Sequence, residues 1–494
     1  MVIGLTNKRM LTNETFHTGC EKDRRGVSRR WLLAALVGSL LLTGCISSPK
    51  NKSSKLTIDS PSAWKSEAAK GNFEPQNWTK DFNDPQLIKI IEEALDHNYN
   101  LQAAASRLDS RIAGSRFAGS SIWPTLNGSG TGSRNKRSSA SGIQQTPTSE
   151  TFGLNARFNW ELDIWGKVRN GYKGDLADIQ SSQADYAAAR LSIAGRVAQS
   201  WYSAIEAKQQ FDLAERTQEA LESSAVIVEE NFKRGIARAL DVRLVRANVA
   251  SNRSTLETRL RNRDTSVRLL ETLLGRYPGN ELKVATELPQ ISGPVPAGLP
   301  SELLLRRPDV ISAERDLAAT EQRKFETSKA RIPSLNLSLS RGTSSRELED
   351  IFDIIDRRVW NQSLNIGQTL FQGGRLKSNF KRAKANYETS LATYSNTVLT
   401  AFREVENALN NQSSYERDYE LQKIAAEESA AAEQLAWEEY GRGLSTITTA
   451  LDAVRRNITA QRALIQVSNQ RVQSRIDLYL SLGGGFDFEP TAEN

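Results

Sequence analysis

Residues 152–169 read FGLNARFNWELDIWGKVR, and within this stretch the chain changes from one periodicity to another. Apolar side chains first fall at every second position, which is typical of a half-exposed β-strand. From about residue 165 to residue 232 the sequence is instead rich in Ala, Gln, Glu, Arg and Leu, with apolar residues at spacings of four. At about 1.5 Å per residue, a helix over this stretch would be on the order of 100 Å long. The stretch therefore predicts a β-strand followed by a helix too long for a compact domain.

Long helices are expected in both halves of the chain. No proline falls between Pro147 and Pro278, or between Pro333 and Pro490, so two long stretches lack the residue that interrupts helices. The segments that follow the first long helix of each half carry aliphatic residues at spacings of three, four and seven, which is typical of coiled-coil seams. We assign these aliphatic residues to packing between helices.

The chain is a tandem duplication of one domain-sized unit. The pattern at residues 104–127 recurs at residues 313–336, an offset of 209. Further on, Arg234-Gly235-Ile236 corresponds to Arg442-Gly443-Leu444 at an offset of 208. We place an N-terminal segment at 45–95, a first repeat at 96–277, a linker at 278–300, a second repeat at 301–482 and a tail at 483–494.

Each repeat also contains two candidate β-strands. We expect the alternating stretches at 152–160 and 360–370 to pair with preceding strands, near Leu126 in the first repeat and at 335–339 in the second. Four strands cannot close a membrane barrel, which needs about eight or more, so a membrane-inserted sheet would require several chains. Three chains would supply twelve strands. The alternative is an ordinary soluble sheet covered by helices.

The N-terminus has the layout of an export signal. Basic residues at positions 24–30 precede an apolar run that begins at Trp31 and is too short to span a bilayer. The run ends in Leu42-Thr43-Gly44-Cys45, which resembles the bacterial lipobox. We therefore expect residues 1–44 to be removed as a lipoprotein signal peptide. Cys45, carrying a covalent lipid, would then anchor the chain in a membrane.

Composition argues against several functional classes. Residues 1–44 hold 7 Lys or Arg and 3 Asp or Glu, which leaves 58 basic and 55 acidic residues interspersed along the chain. This near balance argues against a nucleic-acid partner. After Cys45 there is one histidine, His97, and neither cysteine nor methionine. Since a phosphate-binding glycine loop is also missing, we expect no enzyme activity, no cofactor beyond the lipid and no metal site.

Four motifs carry a resemblance to a known family. They read NWELDIWG at 159–166, LLLRRPD at 303–309, FQGGR at 371–375 and LYLSLGGG at 478–485. Together they resemble the outer membrane factors of Gram-negative bacteria, the TolC-like channels, and within them the lipidated OprM and NodT-like efflux branch. The resemblance covers nearly the whole chain after Cys45. The family usually ends the last motif with Trp, where this chain has Phe486.

The resemblance implies a mainly α-helical chain with a small β part that assembles as a homotrimer. Twelve strands, four from each chain, would form an outer-membrane β-barrel, continued by twelve helices that form a periplasmic α-barrel. A belt of shorter elements would surround the equator, built from residues at about 46–95, 276–300 and 411–430. The protein would be lipid-anchored in the outer membrane and would extend into the periplasm.

The resemblance also implies a passive channel for small molecules. Its partners would be a periplasmic adaptor (membrane fusion protein), an inner-membrane efflux transporter and outer membrane lipid. Two alternatives remain open: the duct of a type I protein secretion system, and a lipid-anchored periplasmic coiled-coil protein that never enters the membrane. The strands distinguish the channel from the periplasmic coiled-coil protein, because a channel requires the apolar residues at 152–160 to face lipid rather than helices.

The two tripeptides that correspond between the repeats, at 234–236 and 442–444, would lie at the periplasmic tip, where one long helix ends and the next begins. The candidate tip and adaptor-docking residues are Arg234, Gly235, Ile236, Arg442, Gly443 and Leu444. Glycine at such a turn is first a backbone requirement, because a positive φ is readily adopted only by glycine.

Candidate gate residues follow each tip. Asp241 lies six residues after Gly235, and Thr449 holds the same place after Gly443, with Asp452 three residues further on. The resemblance implies that tip carboxylates ring and constrict the tunnel, and a threefold ring of carboxylates favours cations. Because Thr449 occupies the first gate position, we expect a single ring at Asp452. The alternative for Asp452 is a solvated helix carboxylate paired with Arg455 or Arg456.

Overall fold

The structure of the protein is a computed structural model that describes residues 61–66, 78–136 and 148–484, apart from residues 292, 294 and 299. The expected signal peptide, the lipidation site Cys45 and Phe486 lie outside the described residues.

The two halves of the described chain contain the same succession of elements. The first half comprises α1 (Pro85–His97), α2 (Tyr99–Gly119), β1 (Thr125–Lys136), β2 (Thr148–Glu161), α3 (Lys167–Lys233) and α4 (Ala239–Leu273). The second comprises α5 (Pro300–Arg306), α6 (Pro308–Lys329), β3 (Ser334–Ser345), β4 (Arg358–Gly367), α7 (Arg375–Gly441) and α8 (Ile447–Ser481). Both α3 and α7 have 67 residues, and both α4 and α8 have 35. Short 3-10 helices lie at Trp78–Phe82, Ser120–Ile122 and Glu349–Phe352.

Each long helix begins just after a strand, at a glycine with positive φ. Gly166 precedes α3 with φ 77° and Gly374 precedes α7 with φ 82°. The carboxylate of Asp163 then accepts the first free backbone N–H groups of α3, from Val168 at 3.1 Å and Arg169 at 2.8 Å. These N–H groups have no partner inside the helix, so the carboxylate stabilises the sharp change from strand to helix.

The main hydrophobic core lies at the middle of the long helices. Trp201 of α3 and Val405 of α7 are fully buried there, together with Leu270 and Ile476 from the last turns of α4 and α8. The 3-10 helix Trp78–Phe82 and α1 add further apolar side chains to the same cluster. The shorter helices therefore end where they can pack against the centres of the longer ones.

A buried arginine fixes the start of the second half. The guanidinium of Arg307 donates to both carboxylate oxygens of Asp309, at 2.9 and 2.7 Å, and to the carbonyl oxygen of Ser481 at 3.1 Å. It also pairs with Glu404 at 2.7 Å. A planar guanidinium satisfies several acceptors at once, so this side chain joins α6 to α7 and to the end of α8.

The expectation of separate belt elements at 411–430 is wrong. These residues lie inside α7, which is continuous from Arg375 to Gly441. The stretch holds no glycine or proline and is rich in Glu, Ala, Gln and Lys, so its intrinsic preference is helical.

The four strands form one antiparallel sheet in the order β1-β2-β3-β4. Each repeat supplies one hairpin, and the two hairpins meet where β2 pairs with β3, for example at Phe158 opposite Leu339. Strand β4 ends at Gly367, so Leu370, expected on this strand, lies beyond it. Among the described helices, none combines the length and the hydrophobicity needed to cross a membrane.

Candidate functional site: a two-faced sheet and two helix reversals

The sheet has two chemically different faces, because successive side chains of a strand point to opposite sides. The register places on one side, called here the apolar face, Leu126, Phe152, Leu154, Ala156, Phe158, Trp160, Leu335, Leu337, Leu339, Trp360, Leu364 and Ile366. The opposite side, called here the polar face, carries Asn127, Ser129, Thr131, Asn155, Arg157, Asn159, Asn336, Ser338, Ser340, Asn361, Ser363 and Asn365. This distribution is typical of a wall between lipid and water.

The apolar face is open to its surroundings over much of its area. Trp360 is 70% exposed, Ile366 72% and Leu126 74%. A soluble sheet would bury such side chains against helices, so the alternative of a sheet covered by helices is wrong. Contiguous exposed apolar residues mark a surface that contacts a membrane or another protein.

The first helix reversal lies between α3 and α4 and contains Arg234, Gly235 and Ile236. Gly235 has φ 77° and donates its N–H to the carbonyl oxygen of Phe232 at 3.0 Å, and Ile236 donates to that of Asn231 at 2.8 Å. This pair of bonds is the Schellman arrangement, which satisfies the last carbonyl groups of a helix.

The second reversal, between α7 and α8, has the same geometry. Gly443 has φ 74° and donates to the carbonyl oxygen of Tyr440 at 3.0 Å, while Leu444 donates to that of Glu439 at 2.9 Å. The residues after the glycines, Ile236 and Leu444, are 72% and 75% exposed. Each reversal thus presents an aliphatic side chain beside the arginine that caps the preceding helix.

A small apolar cluster joins the two reversals. Its buried members are Val228 of α3, Val242 and Val245 of α4, and Ile447 of α8. Trp437 and Tyr440 of α7 pack against this cluster and against each other, with ring centroids 5.8 Å apart. The structure therefore brings the two predicted tip segments into one surface.

Asp241 lies in the first turn of α4 and is buried. Its carboxylate accepts the backbone N–H of Arg238 at 3.0 Å and pairs with the Arg238 guanidinium at 3.2 Å. Tyr440 lies near the end of α7. Burial of its side chain and the nearby negative charge of Asp241 raise the pKa of the Tyr440 hydroxyl. The carboxylate therefore stabilises the start of a helix. The spacing of Arg238 and Asp241 is the sequence signal for this role.

Thr449 and Asp452 lie in the first turns of α8. The hydroxyl of Thr446, which caps this helix, accepts the backbone N–H of Thr449 at 3.3 Å. Asp452 accepts a hydrogen bond from Nε of Arg456 at 2.8 Å and another from Arg455. These two bonds lower the pKa of the Asp452 carboxyl. The structure therefore places Asp452 between two guanidinium groups.

A family profile described as outer membrane efflux protein matches residues 90–276 and 299–484, one segment in each repeat. The chain belongs to the outer membrane efflux protein family. It is 31% identical to the pyoverdine export outer membrane protein OpmQ of Pseudomonas aeruginosa, over 92% of this chain and 97% of that protein. It is 30% identical to the solvent efflux pump outer membrane protein SrpC of Pseudomonas putida, over 82% of this chain and 86% of that protein.

A solved structure of the outer-membrane channel OprN shares the fold of this efflux protein. The TM-score is 0.81 at 26% identity, and the match covers 89% of this chain and 99% of that one. The expected fold class, mainly helical and TolC-like with four strands per chain, is confirmed. The expected location in the outer membrane and the expected role as the outer-membrane component of an efflux system are confirmed too. These relatives are channel proteins, and family members are trimers that work with adaptor proteins and inner-membrane pumps.

Proposed function

We propose that three copies of this chain form one passive duct, with a twelve-stranded barrel in the outer membrane and a twelve-helix tunnel in the periplasm. The observation that carries this proposal is the two-faced sheet. Its outer strands, β1 and β4, each have one edge that pairs with no other strand among the described residues. An open edge in lipid leaves backbone groups without hydrogen bonds, at several kcal/mol each, so copies must pair edge to edge.

The two faces then fix the orientation of the sheet. The apolar face contacts lipid, and the polar face, lined by Asn, Ser and Thr, surrounds the water-filled interior. A covalent lipid on Cys45 would add a second attachment to the same membrane.

The reversals are the proposed docking surface for the periplasmic adaptor. Ile236 and Leu444 are exposed aliphatic side chains on rigid turns, with Arg234 and Arg442 beside them. Such a combination offers an apolar contact with a charged rim. An inner-membrane transporter would supply the energy, since no nucleotide-binding loop is present in the sequence.

Small molecules are the proposed cargo, in preference to the polypeptides of a type I secretion duct. Two relatives that align over most of this chain are named for pyoverdine export and for solvent efflux. The chemistry of the polar face supports a general conduit, because the neutral hydroxyl and amide groups that make up most of it hold no particular substrate strongly.

The proposal is tested by single-channel recording of the purified, lipidated protein in planar bilayers, together with its mass in detergent. We expect a trimer with steady conductance that changes when Asp452 is replaced by alanine. A monomer that never inserts would overturn the proposal in favour of a periplasmic coiled-coil protein. Ile236→Asp and Leu444→Asp should keep the conductance while abolishing adaptor binding.

A further inference from the structure

The connection between β3 and β4 lies on the apolar face of the sheet. The hydroxyl of Thr343 donates to the carbonyl oxygen of Ile351 at 2.6 Å, and Ile351 is buried. The hydroxyl of Ser345 also donates to the carboxylate of Asp350, at 3.2 Å. Because Thr343 and Ser345 alternate with the polar-face residues of β3, this connection rests on the side that also carries Leu339.

The apolar face carries a groove beside this connection. Two adjoining cavities of about 620 and 590 Å³ form it, and they share Ala156 and Arg341 in their walls. Gly128 and Gly130 line one end, while Phe158 and Trp360 line the other. Residues without large side chains leave room for an extended apolar chain between the aromatic rings and the connection.

Two arginines at this groove have side chains for which the described part of the chain supplies no partner. Arg341 of β3 lies opposite Trp360, and Arg358 of β4 lies opposite Thr343, so the two are diagonal neighbours on the apolar face. Both are exposed, and neither guanidinium makes a hydrogen bond or an ion pair with the residues that the structure describes. Nearby arginines differ, since Arg134 pairs with Glu150 and Arg357 with Asp350, each at 2.9 Å.

A cation on a lipid-facing surface needs an anion or water. Arginine on the lipid side of a barrel is strongly unfavourable at the bilayer centre and only slightly unfavourable near the interface with water. A phosphate accepts two parallel hydrogen bonds from one guanidinium. Among the anions of a membrane surface, phosphate therefore fits these arginines best.

We propose that this groove binds an anionic, phosphate-bearing lipid of the surrounding membrane. The phosphate bonds to Arg341 and Arg358, and an acyl chain lies along Gly128 and Gly130. This inference rests on the proposed function, because it requires the apolar face to stand in a bilayer. The competing partners are the carboxylates of the β3–β4 connection, of which Asp350 and Asp353 are already hydrogen-bonded within it.

The test uses the full-length lipidated protein in phosphatidylcholine vesicles doped with spin-labelled phosphatidic acid or spin-labelled phosphatidylcholine. We expect the wild type to immobilise phosphatidic acid several-fold more than phosphatidylcholine. The double variant Arg341→Gln/Arg358→Gln should lose this preference. Arg157→Gln is the matched control, because Arg157 belongs to β2 of the same sheet but lies on the polar face, and it should behave as the wild type.

Quenching of tryptophan fluorescence by brominated acyl chains reports insertion separately. Quenching without a preference for phosphatidic acid would overturn the lipid site and leave the channel intact. Equal loss of preference in Arg157→Gln would also overturn it, since general charge would then explain the binding. Absence of quenching in the wild type would overturn the proposed function itself.

Discussion

The indole N–H of Trp201 donates a hydrogen bond of 2.8 Å to Oδ2 of Asp84, a residue 117 positions earlier in the chain. The other oxygen of the same carboxylate accepts the backbone N–H groups of Gln86 and Leu87, at 2.9 and 3.1 Å, and so caps α1. One carboxylate therefore begins a short helix and fixes it against the middle of α3.

Trp201→Phe keeps an aromatic ring in the core but removes the N–H group. We expect the free energy of unfolding to fall by about 1–3 kcal/mol, because a partly buried carboxylate oxygen loses its partner. Urea denaturation in detergent measures the change. Trp437→Phe is the control, since no partner of the Trp437 indole N–H lies within the described residues. Equal losses in both variants would contradict the role of the hydrogen bond.

Gly443→Ala places a side chain on a residue with φ 74°. We expect a loss of about 1–2 kcal/mol from backbone strain alone, because an added Cβ would meet no atom within 4 Å. Gly441→Ala is a control two residues away, on a helical residue that also has open space around it. That change should leave stability equal or raise it by about 0.5–1 kcal/mol. Thermal unfolding of the two variants measures both changes in stability. A similar loss of stability in both variants would refute the explanation by backbone strain.

Glu271 near the end of α4 holds the turn that leads into the linker. Burial opposes ionisation of its carboxyl group and so acts to raise the pKa. The carboxylate also accepts hydrogen bonds from the backbone N–H groups of Asn280, Glu281 and Leu282, at 2.7, 2.7 and 3.0 Å. These bonds outweigh the effect of burial and lower the pKa of Glu271 below its ordinary value of 4.5. The ionised carboxylate therefore stabilises the fold fully above this ordinary value, and the contribution is lost as the pH falls through the lowered pKa.

Glu271→Gln should consequently destabilise the protein at pH 7 by about 2 kcal/mol. The gap between wild type and variant should narrow as the pH is lowered from 5 toward 3. Denaturation midpoints across this range measure the gap. A gap that stays constant with pH would show that the charge of Glu271 contributes nothing.

The tip of α8 carries more positive than negative charge around the candidate gate. Asp452 is bonded to Arg455 and Arg456, whose side chains are about three-quarters exposed. Asp452→Asn should therefore shift the ion selectivity of the channel toward anions, and Arg455→Gln/Arg456→Gln should shift it toward cations. Reversal potentials in a salt gradient measure both shifts. Unchanged reversal potentials in both variants would show that these groups do not face the conduction path.

Much of the architecture could be predicted because its signals are local and repeated. The change of period after Trp160 and the proline-free stretches predict the hairpins and long helices, which the structure confirms at β2, α3, β4 and α7. The belt at 411–430 came from the family resemblance, and it failed because that stretch has uninterrupted helix-forming residues.

The site was harder to predict because side-chain partners depend on three-dimensional neighbours. The cap made by Asp241 follows from its position three residues after Arg238. The burial of Asp241, however, depends on packing between the helix pair α3–α4 and the helix pair α7–α8. Arg341 has the same strand parity as Leu335, Leu337 and Leu339, which was a readable sign of an arginine on the apolar face. Its proximity to Arg358 required the register of β3 and β4.

The pairing of β2 with β3 has a consequence for how the protein is made. Phe158 and Leu339 are about 180 residues apart in sequence, so the sheet contains contacts of very high contact order. Such contacts form late and slowly. The first hairpin must therefore travel from the ribosome with its apolar residues unpaired until the second hairpin has been synthesised. Efficient biogenesis would need a holding chaperone along that route, and the first repeat alone should fail to insert.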